Sequence, residues 1–207
     1  MVATSNSRQT ILDRLKTIPI EAPTAAAIDP DRLVKYDDPV AKFTEIVTHV
    51  GAQVHLVEST TEVAPRLAEI AEFTSARLIA SLVPEAVSGN FSLAQVDDPH
   101  ALARLDWAIV PGSFPVAENG AIWVRPGDAI ERTMLFLTQH LVIIVSRGEM
   151  VMHMHDAYRR LRQQDHFGDR GREFGVFISG PSKTADIEQS LVIGAHGCRT
   201  LQIFLTP

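Results

Sequence analysis

The chain has 207 residues, 45% of them apolar and 21% charged, the composition of an ordinary globular protein long enough to fill one core. Nineteen basic against twenty-five acidic side chains leave a net charge of -6, which removes any bulk electrostatic case for nucleic acid or an anionic membrane surface. A single cysteine, Cys198, cannot form an internal disulfide or hold an iron–sulfur cluster by itself. No apolar run approaches the roughly 20 residues that a membrane helix needs. Met1 to Thr10 is polar and lacks the apolar stretch of a signal peptide, so a cytoplasmic protein is expected.

In chain order, residues 7–16 read as a short amphipathic helix with Ile11, Leu12 and Leu15 on one side. The Pro- and Ala-rich stretch from Ile18 to Pro30 reads as a linker or arm, and is the segment expected to be mobile or to form an oligomer. Residues 31–207 are expected to make one α/β domain. Its first helix is marked by Asp37 or Asp38 as cap, Pro39 in the first turn, a stripe of Phe43, Ile46, Val47 and Val50, and Gly51 as stop. A strand at Gln53 to Val57, a helix from Thr60 or Thr61 to Phe73, and a strand at Arg77 to Leu82 follow. Asp106 to Val110 suits a buried strand, and after the interruption at Pro111 to Pro115 a second strand, Ala121 to Val124, arrives without an intervening helix. Leu141 to Val145 is a β-branched strand, Glu149 to Gln164 a helix, Phe174 to Ile178 a strand, Lys183 to Ile193 a helix, and Thr200 to Leu205 the last strand. Strands alternating with helices argue a mainly parallel sheet covered by helices on both faces. The helix-free stretch from 106 to 124 argues against a purely doubly wound sheet.

The C-terminal region holds the densest set of candidate functional residues. Ser179, Gly180, Ser182, Lys183 and Thr184 stand at an expected strand-to-helix junction, where uncovered backbone N–H groups and the helix dipole favour an anion and Lys183 adds a full positive charge. Asp186 and Glu188 fall in the first turns of that helix, where they also fit as ordinary capping carboxylates. The spacing is not that of a P-loop, and no dinucleotide fingerprint is present. In open α/β sheets ligands collect at the carboxyl ends of strands, and the candidates are expected there, with Gly112 and Ser113 at a neighbouring strand end.

Glu118 is the candidate base, acid or nucleophile, since few opposite charges surround it and partial burial would raise its pKa; it equally suits a carboxylate holding turn amides. Gly120 permits either close approach of a ligand or a turn with positive φ. His196, between Ala195 and Gly197, fits as a helix C-cap or as a proton carrier contacting an anion, and His140 as a core histidine or a ligand contact. His153 and His155, two apart on the expected helix, point away from each other and cannot share a metal. Glu118, His140, Asp186 and His196 are metal-compatible residue types without a metal-type spacing, so no metal is assigned. Trp107, Trp123 and Cys198 are expected in the core.

The run Gly180-Pro181-Ser182-Lys183-Thr184-Ala185-Asp186-Ile187-Glu188, followed by Gly194-Ala195-His196-Gly197, resembles the C-terminal signature of the LUD-domain family. The segment Val116-Ala117-Glu118-Asn119-Gly120-Ala121-Ile122-Trp123-Val124 is similar to that family's Ala-Glu-Thr-Gly-Thr element, with Asn119 where threonine is common, and His140 to Val145 to the strand that follows. The resemblance covers residues 105–207 and implies a Rossmann-like fold of the NagB/RpiA/CoA-transferase type, with residues 31–207 as a single LUD-type domain. It also implies a lactate-utilisation component of the LutC type, without a cofactor of its own. Such a component works beside LutA- and LutB-like iron–sulfur proteins that carry the clusters for oxidising L-lactate to pyruvate. In that setting Glu118 and His196 are the catalytic candidates. Ser179, Gly180, Ser182, Lys183, Thr184, Asp186, Asn119, Gly120 and His140 are the residues expected around a small anionic ligand. Two other functions stay open at this level: an independent enzyme using Glu118 on an acyl, CoA or sugar-phosphate substrate, and a non-catalytic assembly or sensor subunit.

Overall fold

The computed structural model describes residues 7–18, 28–163, 174–185 and 191–207. The chain separates into two compact units, Met1–Val34 and Lys35–Pro207. In the first unit, helix α1 (Ser7–Thr17) buries none of its side chains, so Ile11, Leu12 and Leu15 stay exposed along it. Most of the expected arm, residues 19–27, lies outside the described residues.

The second unit is built on a five-stranded, wholly parallel sheet. Its strands are β1 (Gln53–Leu56), β2 (Ile79–Ser81), β3 (Trp107–Pro111), β6 (His140–Ser146) and β10 (Thr200–Thr206), in the order β1-β10-β6-β3-β2. The numbering leaves room for a second sheet, in which β4 (Phe114–Val116), β5 (Ala121–Val124) and β7 (Val176–Ile178) pair antiparallel. This is where the helix-free stretch goes: the chain leaves the parallel sheet after β3 and turns back on itself as a hairpin.

Helix α2 (Pro39–His49) forms as its sequence dictates. The Asp38 carboxylate accepts the Ala41 amide at 2.9 Å, Pro39 fills the first turn, and Phe43 and Val47 are fully buried. The expected helix from residue 60 is shorter and broken, as α3 (Val63–Ala68) and α4 (Ala71–Thr74), with Ser59 rather than a threonine capping the single turn that precedes them. Helix α5 (Ala129–Leu137) is an element beyond those expected, and helix α6 (Met154–Gln163) starts five residues later than expected, after a turn at Arg147–Glu149.

Period-two alternation sorts the strand side chains into layers. Leu141, Ile143 and Val145 of β6, with Leu201, Ile203 and Leu205 of β10, face the cluster that holds Phe43 and Val47 of α2, Met134 and Leu135 of α5, and Ile122 and Val124 of β5. Val142, Ile144, Trp107, Ile109 and Phe204 face the other way, onto Val63 and Leu67 of α3. Ala121 and Trp123, on the far face of β5, pack with Ala157 and Leu161 of α6. The parallel sheet is therefore covered by helices on both faces, and the small sheet is wedged between its core and α6.

The helix expected from Lys183 to Ile193 is not there. Lys183–Ala185 and Leu191–Ile193 are strands β8 and β9, paired antiparallel with Thr184 opposite Val192. Residues 186–190, and with them Asp186 and Glu188, lie outside the described residues.

Candidate functional site

The two segments singled out in the sequence meet. The hydroxyl of Ser179, at the end of β7, donates to the carbonyl oxygen of Asn119 at 2.7 Å, bridging sixty positions of chain. Asn119 and Gly120 form the β4–β5 turn. The Gly120 amide donates to Val116 O at 3.1 Å, and the Asn119 side-chain oxygen accepts the Ala121 amide at 3.1 Å. Gly120 has φ +68°, and a Cβ on it would stand 2.5 Å from a Val47 methyl, so both backbone conformation and the approach of α2 require glycine. Gly180, at φ +88°, abuts Val50 at the end of the same helix in the same way.

From Gly180 the chain runs past the C-terminal end of α2 to the start of β10. The Ser182 amide donates to Cys198 O at 2.9 Å, the Gly194 amide donates to Ser182 O at 2.9 Å, and the Ser182 hydroxyl oxygen accepts from the His196 amide at 3.4 Å. The side chain of Lys183 reaches back to Gly51, its ammonium 3.7 Å from where a Cβ of that residue would lie. Among the described residues it has no ion-pair partner. His196 and Arg199 are exposed on the same loop, with Arg199 packed on Gly194. Among the described residues, Ser182, Lys183, Thr184, His196 and Arg199 thus share this loop surface, with Lys183 and Arg199 as its cations.

Two expectations change. There is no helix N-terminus at Lys183; its side chain reaches instead to the C-terminal end of α2, whose dipole favours the Lys183 ammonium rather than an anion. His196 follows a strand, so it caps no helix. The position also differs. Val50–Gly51, Cys198 and His140 all sit at the amino ends of the parallel strands β1, β10 and β6, not at the carboxyl ends. Gly112 and Ser113 do follow the carboxyl end of β3, where the Gly112 amide donates to Ile144 O at 2.8 Å.

Glu118 is exposed, not half-buried, and its carboxylate accepts the Met154 amide at 2.9 Å, the first residue of α6. Its own amide donates to Met152 O at 3.0 Å. Among the described residues no hydrogen bond joins Glu118 to His140, Lys183 or His196. His140 opens β6, shares a 2.7 Å hydrogen bond with Thr200 through Nδ1, and stacks on Trp107 with ring centroids 4.6 Å apart. Burial pushes its pKa below the ordinary histidine value. His153 precedes α6, is buried, and lies with Nδ1 3.1 Å from Asp156, whose carboxylate also accepts the His153 amide. Among the described residues no three histidine, cysteine or acidic side chains are placed to hold one metal ion. Cys198 is 4% exposed, and burial raises its thiol to about 11, which leaves it a packing residue.

Among the described residues no helix is long and apolar enough to cross a membrane. Residues 92–206 match the model of the LUD domain. The chain is similar to lactate utilization protein C of Halalkalibacterium halodurans, with 33% identity over 94 residues, covering 45% of this chain and 41% of the relative. It is similar also to the protein of that name from Bacillus pumilus, with 31% identity over 110 residues, 53% of this chain and 46% of the relative. These alignments therefore span less than half the length of those curated relatives. The crystal structure of a DUF162 family protein from Deinococcus radiodurans superposes with a TM-score of 0.60 at 13% identity, covering 82% of this chain and 96% of that one, a likeness of fold. With more than half of its residues under the family model, this chain belongs to the LUD-domain family.

Proposed function

We propose that this protein is a cytoplasmic, LutC-like component of a lactate-utilisation system that holds a small carboxylate, lactate or pyruvate, at the turn from Ser179 to Thr184. The observation that carries the reading is the 2.7 Å bond from Ser179 to Asn119, which joins the turn of one family segment to the residue that leads into the other. The likeness to proteins named lactate utilization protein C supplies the substrate class. In this reading Lys183 provides the charge, the Ser182 and Thr184 hydroxyls donate to the carboxylate, and exposed His196 stands on the same loop.

Turning L-lactate into pyruvate removes two electrons and two protons, and a chain with one buried cysteine has no thiolate set with which to bind a cluster. In this reading the electrons pass to the LutA- and LutB-like iron–sulfur partners that the family resemblance implies. The test is reconstitution: lactate-dependent reduction of an artificial acceptor, measured with those partners alone and with this chain added. Stimulation that Lys183→Ala removes while the partners still bind supports a ligand-holding subunit. Equal rates with and without the chain contradict it.

A further inference from the structure

The β8–β9 hairpin presents an apolar face to solvent. Its register puts Lys183 opposite Ile193 and Ala185 opposite Leu191, so Lys183, Leu191 and Ile193 share one face, while Thr184 and Val192 share the other. Leu191 and Ile193 are 57% and 51% exposed. A two-stranded hairpin is marginal in water unless one of its faces is packed, and large aliphatic side chains standing together in solvent mark a surface that another molecule covers.

A complementary surface lies beside it. Lys183 and Pro181 stand 3.7 and 3.8 Å from where a Cβ of Gly51 would lie, directly after α2. The solvent side of that helix carries an open, mostly apolar groove of about 640 Å³, bordered by Thr44, Glu45, Ile46, Thr48 and His49. The Glu45 side chain is 68% exposed and pairs with Lys42 at 3.1 Å, a surface ion pair of small worth. Within one chain no ion pair joins Lys183 to Glu45 among the described residues. The hairpin face thus offers two aliphatic side chains and a cation, and the groove offers apolar walls and a carboxylate.

We infer that the protein pairs with a second copy of itself, Leu191 and Ile193 of each hairpin seated in the α2 groove of the other copy and Lys183 of each against the Glu45 carboxylate of the other. A projecting hairpin and a groove side by side make the surface self-complementary. A two-fold axis then forms both seats at once and doubles the area that one seat buries. A ligand carboxylate at the turn competes with Glu45 for Lys183, so the association is measured without ligand and its outcome does not depend on the ligand-holding reading.

Sedimentation equilibrium on the full chain tests this, with circular dichroism to check that each variant keeps the natural fold. A monomer–dimer equilibrium is expected, weakened about tenfold or more by the double substitution Leu191→Ser with Ile193→Ser, by Glu45→Lys and by Lys183→Glu. An equimolar mixture of the Glu45→Lys and Lys183→Glu proteins is expected to associate more tightly than either alone, because one seat then joins the two natural residues and the other joins the two changed ones. The inference is overturned if the natural protein stays monomeric up to about 100 µM, or if the mixture associates no more tightly than its components. Association that survives undiminished in the Leu191→Ser, Ile193→Ser protein belongs to another surface, such as the exposed Leu12 and Leu15 side of α1, and equally overturns it.

Discussion

At Glu118 the surroundings decide what the carboxylate does. An exposed carboxylate that accepts the first amide of α6 satisfies a donor the helix itself cannot, and its charge suits that helix end. Glu118→Ala is expected to cost about 1 kcal/mol in urea unfolding, while Glu118→Gln, which keeps an acceptor oxygen, loses less. A glutamate nucleophile predicts the reverse pattern for Gln, intact stability with abolished turnover. His140 yields a pH prediction. Its folded-state pKa lies below the ordinary value of 6.5, so above that pH both folded and unfolded chains carry it neutral. As the pH falls below 6.5 the unfolded chain takes up the proton first, and stability is lost until the folded-state pKa is passed. Denaturant midpoints at pH 7.5 and 5.5 should differ more for the natural protein than for His140→Gln. Cys198, buried with its thiol raised to about 11, should react with a thiol reagent orders of magnitude more slowly in the native than in the unfolded protein. Comparable rates would show that the loop before β10 opens readily.

Elements differ in how openly their sequences announce them. Helix α2 was legible because cap, N1 proline and apolar stripe agree, and β6 because five consecutive buried apolar residues suit a strand covered on both faces. Helix α5 does carry a local signal: Asp128 and Glu131 stand three apart, the spacing at which Asp128 accepts the Glu131 amide and Glu131 reaches back to the Gly127 amide. The β8–β9 hairpin was misread for a physical reason. Carboxylates after Lys183 imitate a helix start, whereas Thr184, Val192 and Ile193 are β-branched and pair across the hairpin. Glycine at position 120 is the element-scale test of how the β4–β5 turn sits on α2. Gly120→Ala adds a methyl 2.5 Å from Val47 in a backbone region that alanine disfavours, and should destabilise by roughly 1–3 kcal/mol. A cost below about 0.5 kcal/mol would mean that the turn does not bear on the helix.

For the whole molecule, alternation of strands and helices was enough to read a parallel sheet covered on both faces. The second sheet was only half visible, because β5 finds its partner β7 more than fifty residues away and no local pattern records so distant a pairing. The site shares that limit. Asn119 and Ser179 were each legible as candidates, but their meeting depends on β7 lying against β5, and the shift of the cationic turn to the amino ends of β1 and β10 depends on the hairpin that replaced a helix. The central claim, that this junction holds a small carboxylate, is tested most directly by thermal unfolding of the natural protein and of Lys183→Ala with L-lactate or pyruvate. At about 100 times its dissociation constant, a ligand at this turn should add roughly 2.7 kcal/mol and raise the midpoint by several degrees in the natural protein, and by much less in the variant. An equal shift in both proteins, or none in either, would contradict it.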